Sequence, residues 1–268
     1  MMHLSLLAIV GFAVLLYAAS PSLAAITLGT AANFGVLGGS TVTNTGSSSI
    51  IGDLGVSPGS AITGFPPGNV TGTEHSADAV AAQAQVDLTT AYNTLASQTC
   101  NSNLTGQDLG GLTLTPGTYC FSTSAQLTGT LTLDAQGSST AVFVFQIGST
   151  LTTANSSSVL LINNAQSCNV FWQVGSSATL GTSTSFEGNI LALASITLTT
   201  NASISGRALA SGGAVTMDTN TITMCTSVSP PTPTPTPTPT PVPTLTEWGM
   251  IIFMVFAGLM AIYYLRRR

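Results

Sequence analysis

The stretch that decides the fold runs from Ala141 to Met224 and repeats one short phrase four times: Thr150-Leu-Thr-Thr153, Thr179-Leu-Gly-Thr182, Thr197-Leu-Thr-Thr200 and Thr216-Met-Asp-Thr219. The second, third and fourth phrases are almost evenly spaced, whereas the first interval is longer. A period of roughly 20 residues is typical of stacked coils, none of which can bury its apolar side alone. Leu or Met alternates with Thr, so one side of each strand faces a core and the other presents hydroxyl and methyl groups. We therefore predict a mainly β fold, a β-solenoid with an insertion in its first, longer coil.

A second phrase keeps the same period. Gly188-Asn-Ile-Leu-Ala192 recurs as Gly206-Arg-Ala-Leu-Ala210, at the same interval that separates Thr179 from Thr197. This alignment places Glu187 and Arg207 on adjacent coils with an even offset, so their side chains share a face. We expect them to form an ion pair that stabilises the stack, in preference to a catalytic pair.

Charged residues make up only 5% of the 268 residues, against roughly 25% in an ordinary soluble domain. The chain has no lysine, and three of its four arginines are its last three residues. Nucleic-acid binding is excluded, because neutralising phosphates requires clustered Lys and Arg. The acidic residues form no close pair, and His75 is the only histidine beyond residue 24. We expect no enzyme, no metal site and no cofactor, since acid–base partners and ligand spacings are missing.

Residues 1–24 have an apolar core followed by small residues at Ser22-Leu-Ala24, which indicates a secretory signal peptide. An N-terminal anchor helix is the alternative. Export favours disulfides among Cys100, Cys120, Cys168 and Cys225. More than one connectivity is possible. We favour Cys100–Cys120, which closes a compact loop, and Cys168–Cys225, which ties the last coil to an earlier one.

Two segments stand out from the Thr-rich strands. Residues 76–97 lack Gly and Pro, and Val80, Ala84, Leu88, Ala91 and Leu95 fall at helical spacing. We predict one long helix packed lengthwise on the stack, with Ser76 as its N-cap and Asp78 in its first turn. The apolar run 141–147 predicts a strand that is buried on both sides.

The composition changes after Cys225. Residues 230–243 are nearly pure Thr-Pro, which extends as a semi-rigid polyproline II stalk. Residues 249–265 are uncharged and mainly apolar, which reaches the short end of a transmembrane span. The arginines at 266–268 would stay on the cytoplasmic side.

Several strings together resemble the microbial ice-binding protein family of the DUF3494 type: Ala32-Asn-Phe-Gly-Val-Leu37, Ile51-Gly-Asp-Leu-Gly-Val-Ser-Pro-Gly59, Phe171-Trp-Gln-Val-Gly175, Phe186-Glu-Gly-Asn-Ile190 and Gly206-Arg-Ala-Leu-Ala210. The resemblance covers about residues 26–225. It implies an irregular right-handed β-solenoid of triangular section with one long α-helix packed alongside. It also implies adsorption to ice by one flat face, with thermal hysteresis and inhibition of recrystallisation.

The tail Val242-Pro-Thr-Leu-Thr-Glu-Trp-Gly249, with the span and the arginines, resembles the IPTL-CTERM sorting signal, although Val stands where Ile is usual. This resemblance implies recognition by an exosortase-like protease and transfer to the cell surface. A permanent single-span anchor is the alternative. We therefore divide the chain into a signal peptide (1–24), a solenoid domain (25–229), a stalk (230–243) and a sorting signal (244–268).

We predict an exported, monomeric protein that is secreted or held at the cell surface and binds ice or ordered water through a flat Thr-rich face. Strands repeat at about 4.8 Å, close to repeat distances in ice. The candidate contacts are Thr150, Thr152, Thr153, Thr179, Thr182, Thr184, Thr197, Thr199, Thr200, Thr216 and Thr219. Thr is also simply a good strand residue. A surface adhesin that binds carbohydrate or other cells is therefore the alternative function.

Overall fold

The structure is a computed structural model that describes residues 26–225 and 247–267. The chain divides into two compact units, Met1–Val228 and Ser229–Arg268. The predicted signal peptide and the Thr-Pro stalk lie outside the described residues.

The first unit is mainly β. In chain order its strands are β1 (Phe34–Gly38), β2 (Thr41–Thr45), β3 (Ser49–Ile51), β4 (Asp53–Val56), β5 (Ala61–Thr63), β6 (Asn69–Val70), β7 (Glu74–Ser76), β8 (Ser102–Asn103), β9 (Thr113–Leu114), β10 (Gly117–Phe121), β11 (Ala125–Leu127), β12 (Thr130–Asp134), β13 (Phe143–Ile147), β14 (Leu151–Thr153), β15 (Ser158–Ile162), β16 (Val170–Val174), β17 (Ala178–Leu180), β18 (Ser185–Ala192), β19 (Ile196–Leu198), β20 (Ser203–Ala210), β21 (Val215–Asp218) and β22 (Thr221–Thr223). Helix α1 (Ala79–Ala96) lies between β7 and β8, and short 3-10 turns cover Gly29–Asn33 and Ser167–Asn169.

The strands form two parallel sheets. Seven strands make one sheet in the order β11-β14-β17-β19-β21-β2-β5, and fifteen make the other. In the larger sheet, β18 and β20 pair along their whole length through Gly188 and Gly206, which both have positive φ. Only glycine adopts this backbone conformation readily. We attribute to these two glycines a bend that divides the larger sheet into two surfaces.

The order of the strands differs from their order in the chain. β2 and β5, from the N-terminal part, extend the seven-stranded sheet beyond β21, and β1 pairs with β20 in the larger sheet. The first seven strands therefore dock on the last ones. Helix α1, about 27 Å long at 1.5 Å per residue, returns the chain towards the opposite end, where β8 starts the remaining strands.

Alternation along the strands separates two apolar clusters. The inner cluster contains an aromatic stack in which the ring centroids of Tyr119, Phe145, Trp172 and Phe186 follow one another at 5.5, 3.9 and 4.8 Å. The outer cluster lies between the larger sheet and α1 and includes Val144. In β13, Phe143 and Phe145 thus face the inner core while Val144 faces the helix, which confirms the strand predicted to be buried on both sides.

The helix starts later than the predicted Ser76. Ser76 belongs to β7, where its hydroxyl donates to the Ser60 carbonyl (2.7 Å). Asp78 is the N-cap, because its Oδ1 accepts the Ala81 N–H at 2.8 Å. The buried stripe also begins one residue later than predicted, at Ala81, and then follows Ala84, Leu88, Ala91 and Leu95, whereas Val80 is 47% exposed. A carboxylate at the N-cap satisfies an otherwise orphaned donor more effectively than a hydroxyl engaged elsewhere.

The register between the repeats differs from the predicted one at its first step. Thr179, Thr197 and Thr216 stand side by side, as their spacing indicates, but Thr152 rather than Thr150 lies beside Thr179. The longer first interval therefore runs from Thr152 to Thr179. Its extra residues include 163–169, which lie between β15 and β16. The following repeats have no such break, because β18 and β20 are continuous there.

The four cysteines pair as favoured from the sequence, Cys100 with Cys120 and Cys168 with Cys225. The second bond fastens the end of the described domain to the segment before β16. In the second unit, helix α2 (Glu247–Arg266) contains the predicted span 249–265, and its part Gly249–Arg266 is long and apolar enough to cross a membrane.

Candidate functional site

The outer side of the seven-stranded sheet carries a row of seven side chains, six of which are threonines. Its members occupy matching positions on successive strands: Gln126, Thr152, Thr179, Thr197, Thr216, Thr43 and Thr63. Their strand neighbours on both sides point inwards, as in Ile196 and Leu198, which are fully buried. With strands about 4.8 Å apart, seven positions span roughly 29 Å.

A second row of small residues runs beside the first, two positions earlier on each strand. It consists of Ser124, Thr150, Ser177, Ser195, Ala214, Thr41 and Ala61, which backbone hydrogen bonds and strand pairing place in sequence along the sheet. Thr150 donates to Ser124 Oγ at 2.8 Å. The two rows together are named the threonine face. Neither row contains a charged residue, so the face offers hydroxyl and methyl groups without a strong local field.

The threonine face gathers some of the candidates and leaves out others. Thr150, Thr152, Thr179, Thr197 and Thr216 lie on it. The prediction that Thr153 and Thr184 are contacts on this face was wrong.

Thr153 and Thr184 are only 3% and 1% exposed, and their hydroxyls hydrogen-bond to each other at 2.8 Å. Thr153 Oγ1 also accepts the Gly181 N–H. Both threonines satisfy buried backbone groups at the edge of the sheet, where a hydroxyl is needed because an unpaired buried donor is costly. They are therefore unavailable to a flat partner.

Four further candidates lie in the turns that follow the sheet. The hydroxyl of Thr199 donates to the Leu180 carbonyl at 2.8 Å and lies 3.4 Å from that of Thr182. Thr200 and Thr219 both donate to the Asp218 carboxylate, at 2.5 and 3.1 Å. Thr219 also has a left-handed φ of 55°. These side chains organise the turns and are not members of the two rows.

Sequence reasoning missed three threonines of the threonine face, Thr41, Thr43 and Thr63, which come from the N-terminal strands. Thr43 Oγ1 lies 3.4 Å from Thr216 Oγ1 across the junction of β2 and β21. The signal was present, since Thr41-Val-Thr43 and Ala61-Ile-Thr63 share the alternation of the later phrases. These two segments were not recognised as repeats because they lie more than 85 residues before the first Thr phrase.

A second hydroxyl-bearing surface lies on the uncovered part of the larger sheet. Its row contains Thr130, Ser158, Ser185, Ser203, Thr221, Ser49 and Asn69, and it is named the serine face. The adjacent row is interrupted by Leu160 and Ile51, which are 50% and 46% exposed, and by Glu187. Burial raises the pKa of Glu187, against a hydrogen bond with Ser205 that lowers it. This surface is less uniform than the threonine face.

The predicted ion pair between Glu187 and Arg207 does not form in the described part of the chain. The register places Ser205 opposite Glu187 and Asn189 opposite Arg207, and Gly188 lies at the bend between them. The Arg207 guanidinium donates instead to the Ala32 carbonyl (2.7 and 2.9 Å) and to Asn189 Oδ1 (2.8 Å). The even offset correctly predicted that Glu187 and Arg207 lie on the same side of their strands. The bend at Gly188 and Gly206 nevertheless turns the two side chains away from each other.

Titratable groups converge at one place, beside the start of α1. His75 Nδ1 lies 2.7 Å from Asp78 Oδ2, and its Nε2 lies 3.9 Å from Asp53 Oδ2. The Ala81 N–H and His75 hold the pKa of Asp78 below its ordinary value. The described residues contain no group of three or more side chains arranged to hold a metal ion. The geometry around His75 is that of a capped helix start.

Comparison with known proteins identifies close relatives. The profile of a family described as Ice-binding-like matches residues 36–223, and that of the IPTL-CTERM motif matches residues 240–268. An ice-binding protein of Nostoc sp. (strain HG1) is 68% identical over 197 residues, 73% of this chain and 73% of the relative. One of Flavobacterium frigoris (strain PS1) is 36% identical over 214 residues, 74% of this chain and 76% of the relative.

Among solved structures, an ice-binding protein from an Antarctic biological consortium superposes with a TM-score of 0.75 at 50% identity. The match covers 77% of this chain and 95% of that one. The region matched by the family profile contains the threonine face and helix α1.

Proposed function

We propose that this chain, which belongs to the ice-binding-like family and binds ice, adsorbs to the crystal through the threonine face. The observation that carries the proposal is the row of seven registered side chains, of which six are threonine. Each threonine offers a methyl group beside a hydroxyl at the strand repeat of about 4.8 Å. Such a surface can hold ordered water that merges with a crystal plane.

The backbone supports this role because it holds the outward side chains rigidly. Each outward Thr directly follows an inward residue that belongs to, or packs against, one continuous apolar core, as Leu151, Ile196 and Val215 do. Close-packed interiors leave such strands little freedom. The threonine face is therefore organised before it meets ice, and adsorption costs little ordering entropy. Crystal growth continues only between adsorbed molecules, on curved fronts that resist further growth and recrystallisation.

The fold, the domains and the localisation of the chain are also proposals. We infer an irregular right-handed β-solenoid from the parallel pairing of strands that recur at the repeat interval along the chain. The C-terminal motif and the apolar helix α2 suggest a protein that is exported and held at the surface or in a membrane. We propose that residues 1–24 are a signal peptide, that residues 25–229 act as a non-catalytic monomeric domain, that residues 230–243 are a stalk, and that an exosortase-like protease recognises residues 244–268.

The direct test is the behaviour of ice with purified residues 25–229. We expect faceted crystals, a measurable hysteresis gap and suppressed recrystallisation in a sucrose-containing sample. Crystals that grow as unshaped discs at high protein concentration would contradict ice adsorption and favour the adhesin. Faceting that persists when bulk is introduced on the threonine face would instead contradict only the choice of face.

The sorting proposal has its own test in cells that carry the export and sorting machinery. The mass of the mature protein should correspond to loss of the segment beyond the motif at Val242-Pro-Thr-Leu245. A full-length C-terminus ending at Arg268 in the membrane fraction would indicate a permanent anchor.

A further inference from the structure

A cavity of about 540 Å³ lies on the helix-covered side of the larger sheet, away from the threonine face. Its walls include the apolar side chains of Ile26, Leu28, Val142 and Phe171, and Arg207 also lines it. Cavities with mostly apolar walls and few polar groups are typical small-molecule sites. The cavity is therefore large enough and suitably lined for a small organic ligand.

Arg207 is the unusual member of this lining. It is only 8% exposed and is the only Lys or Arg in residues 26–225. Its hydrogen bonds go to the Ala32 carbonyl, from Nε and Nη2, and to Asn189 Oδ1 and Cys225 Sγ, both from Nη1. A guanidinium has five N–H donors. One N–H of Nη2 thus has no acceptor among the described residues.

The charge of Arg207 has no carboxylate partner in the described part of the chain, where both ion pairs belong to His75. The undescribed stretches 1–25 and 226–246 contain no Asp or Glu at all. A buried cation that is held only by neutral acceptors carries a desolvation cost that those acceptors offset in part. The site is therefore electrostatically prepared for an anion.

We propose that this cavity binds a monocarboxylate with an apolar chain, paired with the Arg207 guanidinium. A single negative charge matches the single cation, whereas a dianion would leave net charge buried in an apolar pocket. The apolar walls would cover a hydrocarbon chain, whose burial contributes in proportion to its area. The site is independent of ice adsorption.

The test compares sodium octanoate with octanamide, which has the same chain but no charge. The match to one solved relative covers 95% of that chain, so residues 25–229 can be studied alone. At a concentration one hundred times its Kd, octanoate should raise the midpoint of thermal unfolding by about 5 to 10 °C. Octanamide and sodium chloride should produce little change.

Two variants locate the ligand. Arg207→Gln should abolish the octanoate shift, but it also removes the bonds to Ala32 and is expected to lower stability. Val142→Phe places an aromatic ring in the cavity and leaves the guanidinium contacts in place, and it should reduce the shift at least fivefold while the protein stays folded. Equal shifts with octanamide, an equal shift with chloride, or an undiminished octanoate shift in Val142→Phe would each overturn the proposal.

Discussion

Thr197 lies in β19, at the centre of the seven-stranded sheet, with three members of the row on either side. We predict that Thr197→Tyr removes at least half of the thermal hysteresis. A tyrosine ring stands well beyond the neighbouring methyl groups, so a flat crystal plane can rest on it and approach only one side of the row. At most three of seven positions, about 10 Å of the 29 Å row, then stay close.

The remaining positions lose contact because dispersion attraction falls steeply with distance. A gap of about 0.5–1 Å already forfeits a quarter to a half of each contact. The fold should tolerate the change, since tyrosine is a favourable strand residue and its side chain points outwards. We expect the midpoint of thermal unfolding to move by no more than about 2 °C.

The matched control is Thr221→Tyr, which introduces the same bulk at an exposed threonine of the serine face. Hysteresis and recrystallisation should be measured for both variants at equal molar concentration, together with their unfolding midpoints. Full activity in Thr197→Tyr combined with lost activity in Thr221→Tyr would refute our choice of face. Equal loss in both variants would indicate that ice contacts two faces.

Three predictions concern stability. Replacing Asp78 with Ala should lower the unfolding midpoint by a few degrees through loss of the N-cap of α1, whereas Asp78→Asn keeps the cap. Because the pKa of Asp78 is lowered in the fold, its contribution should be present above about pH 4 and be lost at lower pH in wild type but not in Asp78→Asn. Glu187→Gln should raise the unfolding midpoint at neutral pH, because burial raises the pKa of Glu187 and disfavours its ionised form. This gain in stability should vanish below pH 4.5, the pKa of Glu187 in the unfolded chain, where the carboxyl is protonated in both states. Replacing Cys168 and Cys225, which are 57 residues apart, with serine should lower the free energy of unfolding in urea by about 4 kcal/mol. The same replacement of Cys100 and Cys120, which are 20 residues apart, should lower it by about 3 kcal/mol. The reverse order would contradict the loop-entropy reasoning.

Local periodicity predicted much of this fold. Alternation identified the strands that have one apolar and one hydroxyl-bearing side, and helical spacing located α1, because both patterns depend only on near neighbours along the chain. Register was less accessible. Thr150, just before β14, and Thr152, within it, lie on the same side of the chain, so a slip of two positions leaves every side chain on its own face. Only the pairing of whole strands distinguishes the two alignments.

The candidate site was predicted only in part, because its membership depends on register and on tertiary contacts. Thr153 alternates out of phase with Thr152, and its burial follows from strand geometry once the register is known. The bend at Gly188 and Gly206 separates Glu187 from Arg207, and neither the spacing nor the charge of these residues indicates such a bend. Contacts that depend on tertiary placement, such as Arg207 with the Ala32 carbonyl, had no sequence signal.

The threonine face is assembled from both sides of helix α1 in the sequence. Five members of its main row lie after the helix, between residues 126 and 216, and two lie before it, at Thr43 and Thr63. The N-terminal strands must therefore dock on β20 and β21 before the row reaches its full length. Opening of those strands alone would shorten the row from seven positions to five, a loss of about 10 Å of the 29 Å. The contacts that hold the N-terminal segment, including the Arg207 bonds to Ala32 and the apolar packing of α1, thus control the length of the surface that we propose as the ice-binding face, although none of them lies on the face itself.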